Sequence, residues 1–140
     1  MKYYLSCLRK DNFEIIERHG FSIIGFHENS HIADELEPGD RIIIYVGSRI
    51  SCFAAIVKVK SKVYWDNKLI WDDIFPKRVE ITEYITLNRN DWVDVRDILQ
   101  ELSFVKNKKR FGMNFMSGLR RLPLDDGEII MKIMEYRNGV

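Results

Sequence analysis

Glu37-Pro38-Gly39-Asp40-Arg41-Ile42-Ile43-Ile44-Tyr45-Val46-Gly47 reads as a turn feeding a strand. Pro38-Gly39-Asp40 carries the turn chemistry. The isoleucine run after it predicts an extended strand over residues 41–47. A second strand is predicted over residues 51–63, where Ala55, Val57 and Val59 alternate with Lys58, Lys60 and Lys62. Toward the N-terminus, residues 2–8 alternate as a strand, with Tyr3, Leu5 and Cys7 on one face and Tyr4, Ser6 and Leu8 on the other. Asp11-Asn12-Phe13-Glu14 has the spacing of a capping box, so a short helix is expected, with Phe13 and Ile16 inward and a stop at Gly20. Residues 21–26 suggest another strand, and residues 31–36 a brief helix.

Toward the C-terminus, residues 64–75 read as a loop holding Trp65 and Trp71, followed by a strand over residues 78–85. Trp92, Val95, Ile98, Leu99 and Leu102 recur at helical spacing, which predicts an amphipathic helix over residues 91–102. A short helix is expected near residues 114–119, anchored by Phe111 and Phe115, and a closing helix over residues 125–136, capped by Asp125 or Asp126. Ile129, Ile130 and Ile133 lie near its inner stripe. This order of strands and helices is an α+β pattern around a strongly curved sheet or small barrel. With 140 residues and no linker, repeat or low-complexity stretch, one domain over residues 1–140 is expected.

Composition narrows the class. The 46% hydrophobic share is enough for a core, and a disordered chain would carry fewer apolar residues and more net charge. Cys7 and Cys52 lie far apart, which excludes a disulfide framework or a four-cysteine zinc site. There is no apolar run long enough to span a membrane and no signal-peptide layout at Met1-Lys2-Tyr3-Tyr4. A soluble, cytoplasmic protein is expected. Net charge is only +1, which argues against coating DNA by charge alone. The distribution is uneven, however. Residues 28–40 hold acids and no Lys or Arg, whereas residues 104–121 hold Lys106, Lys108, Lys109, Arg110, Arg120 and Arg121 and no acid. Such a patch is either a solvated connection or a footprint for a phosphate backbone.

Motifs for nucleotide hydrolysis, dinucleotide binding and the α/β-hydrolase nucleophile are absent. His27 and His31 are four apart but have no third and fourth ligand at a recognisable spacing, so neither a metal nor a cofactor is expected. Cys7 and Cys52 sit among apolar neighbours, where a free cysteine behaves as a small core residue. Trp65 and Trp71 either cover a core edge or form a stacking platform for a planar ligand. Phe104, Phe111 and Phe115 interleave with the late basic residues, a composition shared by nucleic-acid binders and by ordinary core anchors.

Several of these segments together resemble a known family. Lys2-Tyr3-Tyr4-Leu5 is similar to its K-Y-W-like first strand, and Pro38-Gly39-Asp40 with Tyr45 to its P-G-D-x-x-x-x-Y. Leu102-Ser103-Phe104-Val105-Lys106-Asn107-Lys108-Lys109-Arg110-Phe111 is similar to its L-x-F-I-K-N-K-K-R-W, and Arg120-Arg121-Leu122-Pro123 to its R-E-L-P. The chain thus resembles a stand-alone prokaryotic EVE-domain protein of the PUA-like superfamily, related to YTH and ASCH domains. The resemblance implies a PUA-like pseudo-barrel, a curved, mostly antiparallel sheet with flanking helices. It also implies a binding module, not an enzyme, that takes a modified base of RNA or DNA into an aromatic-lined pocket.

By the resemblance, pocket groups come from the end of the first strand at Ser6, from Phe26 in place of a family tryptophan, and from Asn29 reading a base edge. Trp65 and Trp71 occupy the loop that supplies the third wall, and Tyr45 either lines the pocket or packs in the core. Lys106, Lys108, Lys109, Arg110 and Arg120 would flank the phosphates. Two rival readings accompany it. One is a small hydrolase of modified nucleosides using a lysine with Glu28 or Asp66. The other is an adaptor with a protein partner in a restriction-type defence or RNA-processing system.

Overall fold

The computed structural model describes residues 1–47, 49–116 and 118–139. The elements in chain order are β1 (Tyr3–Leu8), α1 (Lys10–Arg18), β2 (Ile23–Phe26), β3 (Arg41–Val46), β4 (Cys52–Val59), β5 (Tyr64–Trp65), β6 (Lys77–Thr86), β7 (Val93–Asp94), α2 (Val95–Ile98), β8 (Gly118–Leu122) and α3 (Leu124–Arg137). Short 3₁₀ turns lie between them, the longest over Lys108–Asn114.

The strands form one eight-stranded sheet in the order β2-β6-β4-β3-β1-β8, with β5 added against β6 and β7 against β4. Among the described residues, only β1 and β3 run parallel, and every other pair is antiparallel. Register slips at Ile44/Tyr45 and at Ile56/Val57 put irregularities in the two most central pairings. Such bulges raise local twist and curl a sheet. The result is the curved, mostly antiparallel α+β pseudo-barrel with flanking helices.

Both faces of the sheet are buried. One face, with Tyr3, Leu5, Ile43, Phe53 and Ile56, packs under residues 95–105, Phe115 and α3. The other, with Tyr4, Ile42, Ile44 and Val57, packs under α1 (Phe13, Ile16), β2 and Trp71. Side chains alternate across a strand, so a run such as Ile42-Ile43-Ile44 feeds both cores. Trp92 packs against both clusters and meets Phe13 edge-on at 5.3 Å. A Cβ at Gly127 would overlap the Tyr3 ring, so glycine is what lets α3 lie directly on β1.

Several sequence expectations need correction. The helical spacing over residues 91–102 does not make one helix. A 3₁₀ turn, the strand β7, the single-turn α2 and a second 3₁₀ turn share that segment. Val93 and Asp94 are diverted because they pair with Phe53 and Cys52 and prolong the sheet edge. In place of the helix expected near residues 114–119, Asn114 ends a 3₁₀ turn and Gly118 begins the strand β8, which pairs with β1, while residue 117 lies outside the described residues. The strand expected over residues 51–63 ends at Val59. Asp11 lies inside the first turn of α1, whose N-cap is Arg9 without a side-chain bond, so the capping box is not formed. The N-cap of α3 is Pro123, and neither Asp125 nor Asp126 serves there. Asp126 instead accepts hydrogen bonds from the Ser103 and Phe104 amides and from the Ser103 hydroxyl. Among the described residues, no helix is long and apolar enough to cross a membrane.

Candidate nucleic-acid interface

A cavity with a volume of about 800 Å³ opens at the end of β1. Ser6, Cys7 and Leu8 of β1 form its floor, with Gly118 and Leu119 of β8 beside them. Asn12 and Ile16 of α1 close one side. Gly25 and Phe26 of β2 lead into His27, Asn29, His31 and Ile32 on the next side. Trp71, Asp72, Asp73 and Phe75, from the loop before β6, complete the ring. Drug- and cofactor-sized pockets usually fall between about 300 and 1,000 Å³ and are mainly apolar with a few placed polar groups. This cavity fits that description.

The loop that carries Trp71 is held from below by one buried side chain. Arg78 of β6 is fully buried. It donates from Nε to the Phe75 carbonyl at 3.2 Å and from a guanidinium nitrogen to the Ile74 carbonyl at 2.9 Å. The same nitrogen also bonds the Lys68 carbonyl. Its other terminal nitrogen lies 3.2 Å from an Asp66 carboxylate oxygen, and the guanidinium stands 5.1 Å from the Trp71 ring centroid. A planar group with donors on several sides suits this task in a way lysine does not.

A second fastening joins the loop to α1. Asn12, itself buried, donates to the Asp72 carboxylate at 2.9 Å and accepts from the Asp72 amide at 3.2 Å. Gly25 supplies the third constraint: a Cβ there would come within 2.7 Å of the Trp71 ring and 2.8 Å of the Phe75 carbonyl oxygen. Phe75 itself is held at φ +45°, the left-handed region that bulky residues avoid. Its ring meets His27 edge-on at 5.4 Å. The aromatic wall is therefore positioned before any ligand arrives.

Of the residues singled out in the sequence, Ser6, Phe26, Asn29 and Trp71 lie around this one cavity. Trp65 does not line it. It sits on β5, 57% exposed, beside a smaller cavity of about 220 Å³ shared with Glu28, Asn67 and Ile74. Tyr45 lies on the opposite face of the sheet, stacked on Phe115 at 4.5 Å and edge-on to Phe53 at 5.3 Å. Of the two positions open to Tyr45, core packing is the one it adopts.

Lys106, Lys109 and Arg110 are exposed. Lys108 is turned into the fold, donating to the Leu102 and Val105 carbonyls at 2.6 and 2.7 Å. Arg120 covers the Phe104 ring at 4.9 Å and donates to the Asn114 carbonyl. Asn12, His27, His31, Phe75 and Arg78 belong to the site or its support and went unassigned in the sequence. The D-N-F segment held Asn12 in view, whereas Arg78 reads there as one more polar strand residue.

Burial pushes the Cys7 thiol up to about 12, so it stays protonated near neutrality. The cavity lining contains no lysine among the described residues, and Glu28 and Asp66 do not line it. Asp66 is instead paired with Arg78. Among the described residues, no cluster of three or more His, Cys, Asp or Glu is arranged to hold a metal.

The model of the EVE domain family matches residues 2–133. The chain belongs to the EVE domain family. Among curated relatives, this EVE chain is 28% identical to a UPF0310 protein of Pyrococcus horikoshii, with 96% of this chain and 99% of the relative covered. In fold it is similar to the Mmi1 YTH domain solved in complex with RNA, at a TM-score of 0.66 and 15% identity, covering 96% of this chain and 78% of that one. It is also similar to the YTH domain of Zygosaccharomyces rouxii MRB1 solved with N6-methyladenosine RNA. There the TM-score is 0.64 at 12% identity, covering 96% of this chain and 87% of that one.

Proposed function

We propose that this EVE chain is a binding module for nucleic acid that takes one unstacked, modified base into the cavity between β1, β2 and the loop of residues 66–75. The observation that carries the reading is the preformed wall of Trp71 and Phe75, fixed by Arg78 and Asn12 over a mainly apolar cavity of about 800 Å³. A methyl group adds little hydrogen bonding, so discrimination must come from a desolvated, shaped box. The likeness in fold to YTH domains, two of them solved with RNA and one with methylated adenosine in it, supports the same reading.

Ser6, Asn12 and Asn29 are among the polar groups available to a base edge, and Arg9, Ser30, Asp72, Asp73 and the two histidines also line the cavity. Exposed Lys106, Lys109 and Arg110 supply phosphate contacts, which position the strand without reading it. Lys108 and Arg120, occupied inside the fold, are withdrawn from that role.

The test is an affinity and thermal-shift screen against free modified and unmodified nucleosides and short single strands of RNA and DNA, at two salt concentrations. One modification should stand out, and Trp71→Ala should weaken it about tenfold or more at both salts. Equal binding of all nucleosides, unchanged in Trp71→Ala, would overturn the reading.

A further inference from the structure

We infer that Trp65 and the smaller cavity beside it form a second subsite, which takes the nucleobase adjacent to the one in the main cavity and favours a base with an exocyclic amino group. This rests on the nucleic-acid reading above. It goes further by assigning a sequence preference to the flanking position.

Three observations converge on it. First, the two cavities are contiguous: His27, Asp73 and Phe75 line both. A strand that leaves one base in the main cavity passes directly over the second. Second, Trp65 is 57% exposed, although the segment holding it is well ordered by its neighbours. Its strand β5 pairs with Lys77 and Arg78 of β6, and the Asp66 amide donates to the Pro76 carbonyl at 3.0 Å. An indole carried on a paired strand and left wet offers a face for stacking, and any base has a face to match. Third, the polar lining is acidic and amide-bearing, from Glu28, Asp73 and Asn67. Carboxylates repel phosphate, yet accept hydrogen bonds from an amino group such as cytosine N4 or adenine N6. The Asp73 carboxylate also accepts from the Ile74 amide at 2.7 Å, which fixes one of its oxygens and leaves the other available.

Phe75 is the partition between the two subsites. Its left-handed backbone, pinned by Arg78, turns its ring toward His27 between the two cavities. The flanking base would therefore stack on Trp65 while the inserted base lies against Trp71.

The experiment uses the full chain with hexanucleotides of adenine, cytosine or uracil alone, as RNA, and with adenosine, cytidine and their methylated forms as free nucleosides. Trp65→Ala changes an exposed side chain, and its melting temperature serves as the folding control. The adenine and cytosine hexamers should bind several-fold more tightly than the uracil hexamer. Trp65→Ala should lose about tenfold on them and nothing on free nucleosides. The double variant Glu28→Gln, Asp73→Asn should lower binding of the adenine and cytosine hexamers to the level of the uracil hexamer. Hexamers bound equally well by wild type and Trp65→Ala would overturn the subsite while leaving the cavity reading intact. Hexamers sensitive to Trp65→Ala, with no free nucleoside bound, would support the subsite and count against the cavity. Binding of neither hexamers nor nucleosides would overturn both.

Discussion

At the scale of single residues, burial decides what each polar group can do. Cys7 lies in the strand on the cavity floor but belongs to the core on the opposite face, and loss of solvent there pushes its thiol from the ordinary 9.0 up to about 12. Native protein at pH 8 should therefore resist iodoacetamide at Cys7, and unfolding should expose it; rapid native alkylation would contradict the assignment. The sign for stability follows from the same shift. Below about pH 9 both states hold the proton, and between 9 and 12 the unfolded chain releases it first. Cys7→Ala should accordingly flatten the loss of stability over that alkaline window. Arg78 and Asp66 form an unequal pair, one fully buried and the other 45% exposed. Arg78→Met strips donors from the Phe75, Ile74 and Lys68 carbonyls and should cost about 3 kcal/mol or more. Asp66→Asn removes the charge of a 45% exposed partner but keeps an acceptor for the Lys68 amide, and should cost less than Arg78→Met. Chemical denaturation of both variants checks the contrast.

At the scale of elements, legibility followed local signals. β3 and β4 were plain because apolar β-branched runs flanked by a turn have few other uses. β8 was not, since Gly118-Leu119-Arg120-Arg121-Leu122 has little apolar content and becomes a strand only because β1 offers it an edge. The segment of residues 91–102 obeyed helical spacing, yet pairing with β4 overrode it at Val93 and Asp94. The candidate site divided in the same way. Ser6, Phe26, Asn29 and Trp71 could be named from family-like segments, but nothing local separates Trp65 from Trp71, which part company only when Arg78 folds the loop around itself. Gly25 shows how closely β2 and that loop are matched. Gly25→Ala should push back the Trp71 ring and the Phe75 carbonyl and destabilise by about 1–3 kcal/mol. It should also weaken ligand binding beyond what the stability change explains, which titration of the folded variant would measure.

At the scale of the whole molecule, a net charge of +1 leaves affinity for a polyanion to the placement of a few side chains. Lys109→Ala and Arg110→Ala should each reduce the slope of log affinity against log salt by about 0.7 on single strands, without changing which base is preferred. Lys108→Ala should leave the slope unchanged and instead lower the melting temperature, because its ammonium holds two backbone carbonyls. An equal effect of all three on the slope would refute this division. The two cores on opposite faces of the sheet also separate the duties. Residues 95–105 and α3 build one face, while the cavity is built on the other.

The place of β1 between β3 and β8 bears on the order in which the sheet can close. β1 precedes both neighbours in the chain, β3 on one side and β8, at residues 118–122, on the other. One edge of β1 therefore stays open until residues 118–122 have been made, and the floor of the cavity, drawn from β1 and β8 together, cannot close before then.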